Sequence, residues 1–511
     1  MSAHQNDPAS VQILMTAAEA FPVLETCFLE AEKDIRAGFR VFDLSTKLRS
    51  PAAQKIGKTW FDLVVHTLSR GVQINLIVSD FDPIARPWLH KGTWETMRAL
   101  RKAAKQSGQE ALLTAKAAMH PAKVGVLPRI IFMKKARDEL KNTINILNDL
   151  DKNDRMDAVE LMPGLQQYID IKDDELTVKQ GVLPGLIPAS HHQKLAVFDS
   201  ERLYIGGLDL NDRRYDDPDH AQEASQTWHD MQLLVKGPVA KEAESHLKAF
   251  ENPKYATPVT HQLRRTLSRP KQFNALSISP RTELTEIADF HYDQVKKAQN
   301  LIYLETQFFR DTQLANTLAQ AAKNNPSLGL ILILPAAPEE AAFERSKTSD
   351  IRYGEYLQAK CVSTVSQAFG SRAFIGAPAQ PRKLDSDDRD TLHAAPIIYV
   401  HAKVSIFDDT AMVSSANLNG RSFNWDTEAG VILDKPQDVQ NLRQRCFEHW
   451  LPDDAADNLF NPETAVAAWR ALADQNKKQS PQSRKGFLLP YPLTVARRFG
   501  KNLPGVPEAI V

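Results

Sequence analysis

The chain is poor in cysteine: 511 residues hold three, Cys27, Cys361 and Cys446, too few and too scattered for a disulfide framework or a zinc site. That excludes a secreted disulfide scaffold and points to a reducing compartment. Charge of one sign is also lacking, since Lys+Arg and Asp+Glu both total 63. No global field would hold the protein to a nucleic-acid backbone, so a dedicated nuclease is disfavoured and no nucleic-acid partner is expected. No stretch approaches the ~18 apolar residues of a membrane span, and Met1 to Pro8 shows no basic segment leading into an apolar core. The expectation is a cytoplasmic monomer, peripheral on a membrane at most. No His/Cys cluster has metal spacing, so neither a metal nor another cofactor is expected.

What is present is ordinary in bulk, with 42% hydrophobic and 25% charged residues and a length that suits two to four domains. The information is local. His192-Gln193-Lys194 is followed by Asp199, and His401-Ala402-Lys403 by Asp408, so the pattern His-x-Lys-x4-Asp occurs twice. Chance would give on the order of 0.05 matches in a chain of this size. Each copy continues as an apolar stretch (Leu195–Phe198; Val404–Phe407), a turn, and a second short run ending in small residues, Gly206-Gly207-Leu208-Asp209 and Ser414-Ser415-Ala416-Asn417.

The copies sit in a weak internal repeat. In the first half the pattern predicts a helix over 20–32, a strand over 39–44, a helix over 58–69 and a buried strand over 72–78; the second half predicts a helix over 290–298, a strand over 301–306, a helix over 313–323 and a strand over 328–334. Such alternation implies an α/β fold with a mixed sheet in each half, a pseudo-dimer within one chain. The expected domains are 1–251, carrying a charged, helix-prone insertion over 83–190, then a proline-marked linker over 252–272, a second domain over 273–455 and a basic tail over 456–511. The insertion could roof the site or pad the surface. In the tail no acidic residue occurs between Gln475 and Pro507 while seven lysines and arginines do, interleaved with Phe487, Leu488, Leu489, Tyr491 and Phe499. It could lie on an anionic bilayer or pack its aromatics on the core.

In a strand, residues i and i+2 share a face, so His192 projects with Lys194 and His401 with Lys403. A neutral imidazole can attack phosphorus while a protonated one across the site donates to the departing oxygen, splitting the displacement in two through a phosphohistidine. The lysines supply charge-assisted donors to the phosphate oxygens. Each histidine needs a carboxylate to fix its tautomer, and Asp230 and Glu428 lie downstream at similar offsets on predicted strands. Asp199 and Asp408 complete the motif and count with this catalytic set, although a position at a strand end suits turn-holding better.

At these residues the chain resembles the phospholipase D superfamily, in particular the eukaryotic-type catalytic core. The likeness runs through His191-His192-Gln193-Lys194, Gly206 to Leu210, Arg214 to His220, Trp228-His229-Asp230 and Gly237-Pro238, then Tyr303 to Phe309, Tyr399 to Lys403, Ser415-Ala416-Asn417, Arg421-Ser422 and Asp426-Thr427-Glu428. The resemblance implies a bilobal α/β fold with one site between the lobes. It implies hydrolysis of the distal phosphodiester of a phospholipid such as phosphatidylcholine, with transfer to an alcohol open. His192 would be the nucleophile, His401 the general acid, Asp230 and Glu428 the orienting acids, and Asn417, with Ser415 and Asp209 beside it, the substrate-binding set. Ser414 stands where the family has glycine, and Thr306 where it has asparagine. The alternatives are a phosphatidyltransferase of the cardiolipin-synthase kind, or a lipid-binding protein that has lost catalysis. No family lipid-targeting module is expected before the core, and recruitment to phospholipid is then expected to fall to the core, the insertion or the tail.

Overall fold

The computed structural model describes residues 10–252, 256–272, 275–386 and 388–511; Met1–Pro8, Pro253 of the expected linker and the boundary at 273 lie outside the described residues. Two large sheets carry the fold. The first runs Ser10–Met15, Met231–Lys236, Arg202–Gly206, Leu195–Phe198, Asp34–Phe39, Gln73–Asp80, Leu113–Met119. The second runs Arg281–Thr285, Leu263–Arg269, Glu428–Leu433, Thr410–Ser414, Lys403–Phe407, Leu301–Thr306, Gly329–Ile333, Ala373–Pro378, Leu488–Pro490. Without its outermost strand on either edge, the second sheet repeats the first in order and in every parallel or antiparallel sense.

The sheets meet through their inner faces, and this contact makes the chain one body. Leu195, Ile205 and Leu233 of the first share an apolar cluster with Val404, Val413 and Val431 of the second. Helices Thr16–Glu30, Trp60–Ser69 and Pro87–Ser107 cover the outer face of the first sheet, and Glu286–Lys297, Thr312–Asn324 and Ser349–Phe369 that of the second. Local chemistry sets these boundaries. Thr59 and Asp62 form a capping box that starts Trp60–Ser69, Asp311 caps Thr312–Asn324 by accepting from the Leu314 amide at 2.6 Å, and Gly108 at φ 67° ends Pro87–Ser107.

Several expectations shift. The first central strand is Asp34–Phe39, not 39–44: Phe42 and Leu44 are buried as loop residues, and their apolar pattern imitates a strand. The insertion is shorter than 83–190. Its first third is repeat structure, the helix Pro87–Ser107 and the strand Leu113–Met119, which matches Ala373–Pro378 of the other half. Only the segment beyond Met119 is extra, built on its own small core of Leu140, Ile144, Leu147 and Leu165. The proline-marked linker holds the strand Leu263–Arg269, paired antiparallel with Glu428–Leu433. The basic tail spends its apolar residues inside: Leu488 and Leu489 are buried in a strand paired with Ala373–Pro378, and helix Ala465–Lys478 buries Trp469.

Candidate active site

The two His-x-Lys segments enter matching strands, Leu195–Phe198 and Lys403–Phe407, at the junction of the two sheets. Short parallel bridges between halves fix them there. His191 pairs with Thr427, and the His192 amide donates to the Thr427 carbonyl at 2.8 Å; His229 pairs with Val400, and the His401 amide donates to the His229 carbonyl at 2.7 Å. Thr427 and His229 each immediately precede an acid. The bridges therefore deliver Glu428 to His192, Nδ1 lying 3.1 Å from the carboxylate oxygens, and Asp230 to His401, with Nδ1 at 2.5 Å. Each histidine is oriented by the other half's acid. An Nδ1 tied to a carboxylate leaves Nε2 as the free position.

The remaining motif residues divide into contact and support. Lys194 donates to the His192 carbonyl at 2.7 Å and stands 3.8 Å from Asp209; Lys403 reaches His401 Nδ1 at 2.9 Å as well as the His401 carbonyl. Asp209 accepts the Val41 amide at 3.0 Å; the Ser415 hydroxyl donates to Glu428 at 2.5 Å, and the Ser415 carbonyl accepts from His192 Nδ1 at 3.1 Å. Both are buried and neither lies on the cavity wall, so the structure places them as supports of the histidine pair where contact with substrate was expected. Asn417 does reach the cavity wall, with its buried side-chain carbonyl unpartnered. Asp199 and Asp408 stand apart from the site. Asp199 accepts the amides of Glu32, Lys33 and Asp34 (3.0, 2.7 and 3.1 Å), and Asp408 those of Gln299, Asn300 and Leu301 (2.6, 3.0 and 2.9 Å). Both take left-handed backbone, φ 53° and 50°. The structure does not bring them to the histidine pair; each clamps the start of its half's central strand.

A cavity of about 400 Å³ opens over the pair, with His192 and His401 both on its wall. Five guanidinium-bearing residues line it: Arg40, Arg86, Arg214, Arg310 and Arg421. Arg214 lies 3.6 Å over the Trp228 ring, which itself packs against the His401 imidazole at 4.7 Å between centroids. Arg421 is held by Asp426 at 2.8 Å. Sequence reasoning had no role for Arg40 and Arg310. Arg310 follows the Gln307-Phe308-Phe309 segment directly, which was the available signal; Arg40 had none.

Burial dominates the electrostatics. It drives both imidazoles well below their ordinary range, helped at His192 by Lys194, Arg40 and Lys403 and at His401 by Lys403, Arg214 and Lys194. Burial lowers Lys403 to about 7, with Asp230 opposing it, and raises Asp230 to about 6 and Glu428 to about 8, each opposed by nearby lysine. Neutral imidazoles beside buried lysines and five arginines give the cavity donors for an anion, while Asp80, Asp82, Glu339, Glu340, Asp350 and Asp426 on the same wall supply opposing charge.

Two α/β halves of matching strand order exchange acids across one cavity, which marks a fold of duplicated plan. A family model described as "Cardiolipin synthase, PLD-like domain" matches residues 292–450. Cardiolipin synthase of Listeria monocytogenes serotype 4a is 23% identical over 270 residues, 50% of this chain and 47% of its own. Phospholipase D1 of Schizosaccharomyces pombe is 23% identical over 363 residues (51% of this chain, 26% of its own), and phospholipase D alpha 1 of Nicotiana tabacum 22% over 464 residues (63% and 57%). The chain is thus similar to proteins of the phospholipase D superfamily, with a PLD-like domain matched in its second half. It spans about half the length of the bacterial and plant relatives and a quarter of the yeast one. Among solved structures, phosphatidylserine synthase of Haemophilus influenzae Rd KW20 superposes over 92% of this chain and 95% of its own, at 13% identity and a TM-score of 0.47.

Proposed function

We propose that this protein cleaves the distal phosphodiester of a membrane phospholipid such as phosphatidylcholine, through a phosphohistidine on His192. The observation that carries the reading is the pair of imidazoles on one cavity wall, each with Nδ1 held by a carboxylate of the opposite half. His192 Nε2 attacks phosphorus, and the bond to the head-group oxygen breaks as His401 Nε2 gives it a proton. His401, now neutral, takes a proton from water, whose oxygen displaces His192 from phosphorus and releases phosphatidic acid. Lys194, Lys403 and the cavity arginines balance charge on the equatorial oxygens. A bound phosphodiester opposes the cations that depress His401, so substrate itself lifts the acid into its working form.

Access to lipid is supported by the helix Val126–Ile131 in the extra segment. Val126, Leu127, Ile130, Ile131 and Phe132 are all exposed, Ile131 to 68%. No acidic residue occurs from Ala111 to Arg137, and Arg129, Lys134 and Lys135 flank the apolar face. Val124, just before it, donates to the Leu186 carbonyl at 2.9 Å, and the next residue, Ile187, lines the cavity. An anionic bilayer fits this apolar and basic face, set beside the mouth of the site.

The cardiolipin-synthase description of the matching family model favours a second reading, in which a glycerol hydroxyl replaces water at the phosphohistidine. One assay separates the two: vesicles of phosphatidylcholine with ethanol, and vesicles of phosphatidylglycerol, analysed for choline, phosphatidic acid, phosphatidylethanol and cardiolipin. Choline release lost in His192→Ala and His401→Ala establishes the hydrolase. Cardiolipin without choline release replaces it by the transferase, and no product from any lipid overturns both.

A further inference from the structure

Behind the acid side of the cavity, three histidines that the reaction does not use converge. His220, His229 and His449 each offer a ring nitrogen within 4.8 Å of the others. Their spacing along the chain does not mark them as a set, because His449 belongs to helix Pro436–Trp450 in the other half. His220 and His229 are fully buried, while His449 is partly exposed and opens the group to solvent.

The surroundings match what a nitrogen-coordinated dication requires. Nε2 of His220 and Nε2 of His449 approach to 2.9 Å, so the two cannot both carry a proton. His220 Nδ1 is held by Asp216 at 2.6 Å, which turns Nε2 inward. Glu305 sits against His229 Nε2 in the same supporting position, yet neither His229 nitrogen makes a well-directed hydrogen bond. Carboxylates behind imidazoles are the outer partners that orient metal-binding histidines. Asp216 and Glu305 are wholly buried, and among the described residues their ion pairs are with these histidines, not with lysine or arginine. Two buried carboxylates so paired leave a negative charge that a cation at the centre would balance.

We propose that His220, His229 and His449 bind one Zn²⁺ ion that clamps the first half to helix Pro436–Trp450 of the second. Three imidazole donors with carboxylates behind them suit zinc over magnesium or calcium, which take oxygen ligands. The clamp lies next to the chemistry without entering it. The His229 carbonyl accepts the amides of His401 (2.7 Å) and Ala402 (3.1 Å), and its neighbour in sequence is Asp230, so fixing His229 fixes the acid half of the site. The proposal stands independently of which lipid is cleaved.

The test uses tag-free full-length protein, stripped with a strong chelator and then titrated with Zn²⁺ or Co²⁺. Expected are about one metal bound per chain, a melting temperature that rises by several degrees on adding Zn²⁺ to stripped protein, and visible absorption of tetrahedral Co²⁺. His449→Gln, altered at the exposed edge of the set, should lose the Co²⁺ bands and the Zn²⁺-dependent rise. Stripped wild-type protein that shows neither absorption nor a shift overturns the proposal. So does a His449→Gln protein that keeps both, which would place the metal elsewhere.

Discussion

At the residue scale, the site is governed by how few waters reach its charges. Lys403 is the clearest case: its ammonium is buried, and its ordinary value near 10.5 falls to about 7. The group is charged below that pH and neutral above it, so a phosphate arriving at the free enzyme loses one cation as pH rises through 7. The expected pH profile of kcat/KM therefore has an alkaline limb near 7, and Lys403→Arg, which keeps its charge throughout, should remove that limb whatever its absolute rate. A limb unchanged by the substitution would assign it to another group. Gly207 offers a second test. A Cβ there would stand 2.1 Å from Asp230 Oδ1, whereas its counterpart in the other half, Ser415, uses its hydroxyl to hold the longer Glu428. Gly207→Ala should push Asp230 from His401 and lower kcat by about 10²-fold or more with little change in KM, the measure of a displaced orienting group. The departure from glycine at Ser414 has a similar local solution: it faces Gly430 in the pairing, while in the first half Gly206 faces Gln232, so the small residue has moved to the neighbouring strand.

At the element scale, the motif aspartates show why sequence located the chemistry better than the architecture around it. His192, Lys194, His401 and Lys403 announce themselves by spacing, and the turn-holding place of Asp199 and Asp408 follows from their position at a strand end. The strands Leu113–Met119 and Leu263–Arg269 announce nothing. The first is alanine-rich and half exposed at a sheet edge; the second lies close after a proline-marked stretch and carries three arginines, so neither shows the continuous apolar run that marked Leu301–Thr306. Because three backbone amides converge on each motif aspartate, Asp199→Ala and Asp408→Ala should each cost about 2 kcal/mol of stability in denaturant unfolding while the folded enzyme keeps its kcat. A large fall in kcat at unchanged stability would return them to the chemistry. The helix Val126–Ile131 carries the corresponding functional prediction. Burying one of its side chains in lipid contributes roughly 1.5–3 kcal/mol, so Ile130→Glu with Ile131→Glu should abolish sedimentation with anionic vesicles. Turnover of a soluble short-chain phosphodiester should be untouched, since neither residue lines the cavity.

At the scale of the whole molecule, duplication has been turned into dependence. Two sheets that share a seven-strand order face each other, and the bridges His191–Thr427 and His229–Val400 carry each acid over to the opposite histidine. Sequence offsets within each half held no hint of this, because the exchange is a property of how the halves pack. It makes a pairing that runs against the order of the chain: Glu428 belongs with His192, the proposed nucleophile, and Asp230 with His401, the proposed acid. A substrate whose leaving group needs no proton separates the two pairs. With a p-nitrophenyl phosphodiester, His401→Ala and Asp230→Asn should still release a burst of about one p-nitrophenolate per chain, since attack on phosphorus is intact and only the return of water is slowed. His192→Ala and Glu428→Gln should show no burst, or one slowed by a factor of about 10² or more, since attack itself is impaired. A burst lost in Asp230→Asn but kept in Glu428→Gln would mean that the acids serve the histidines of their own halves, and the exchange across the interface would then be a feature of packing without consequence for the reaction.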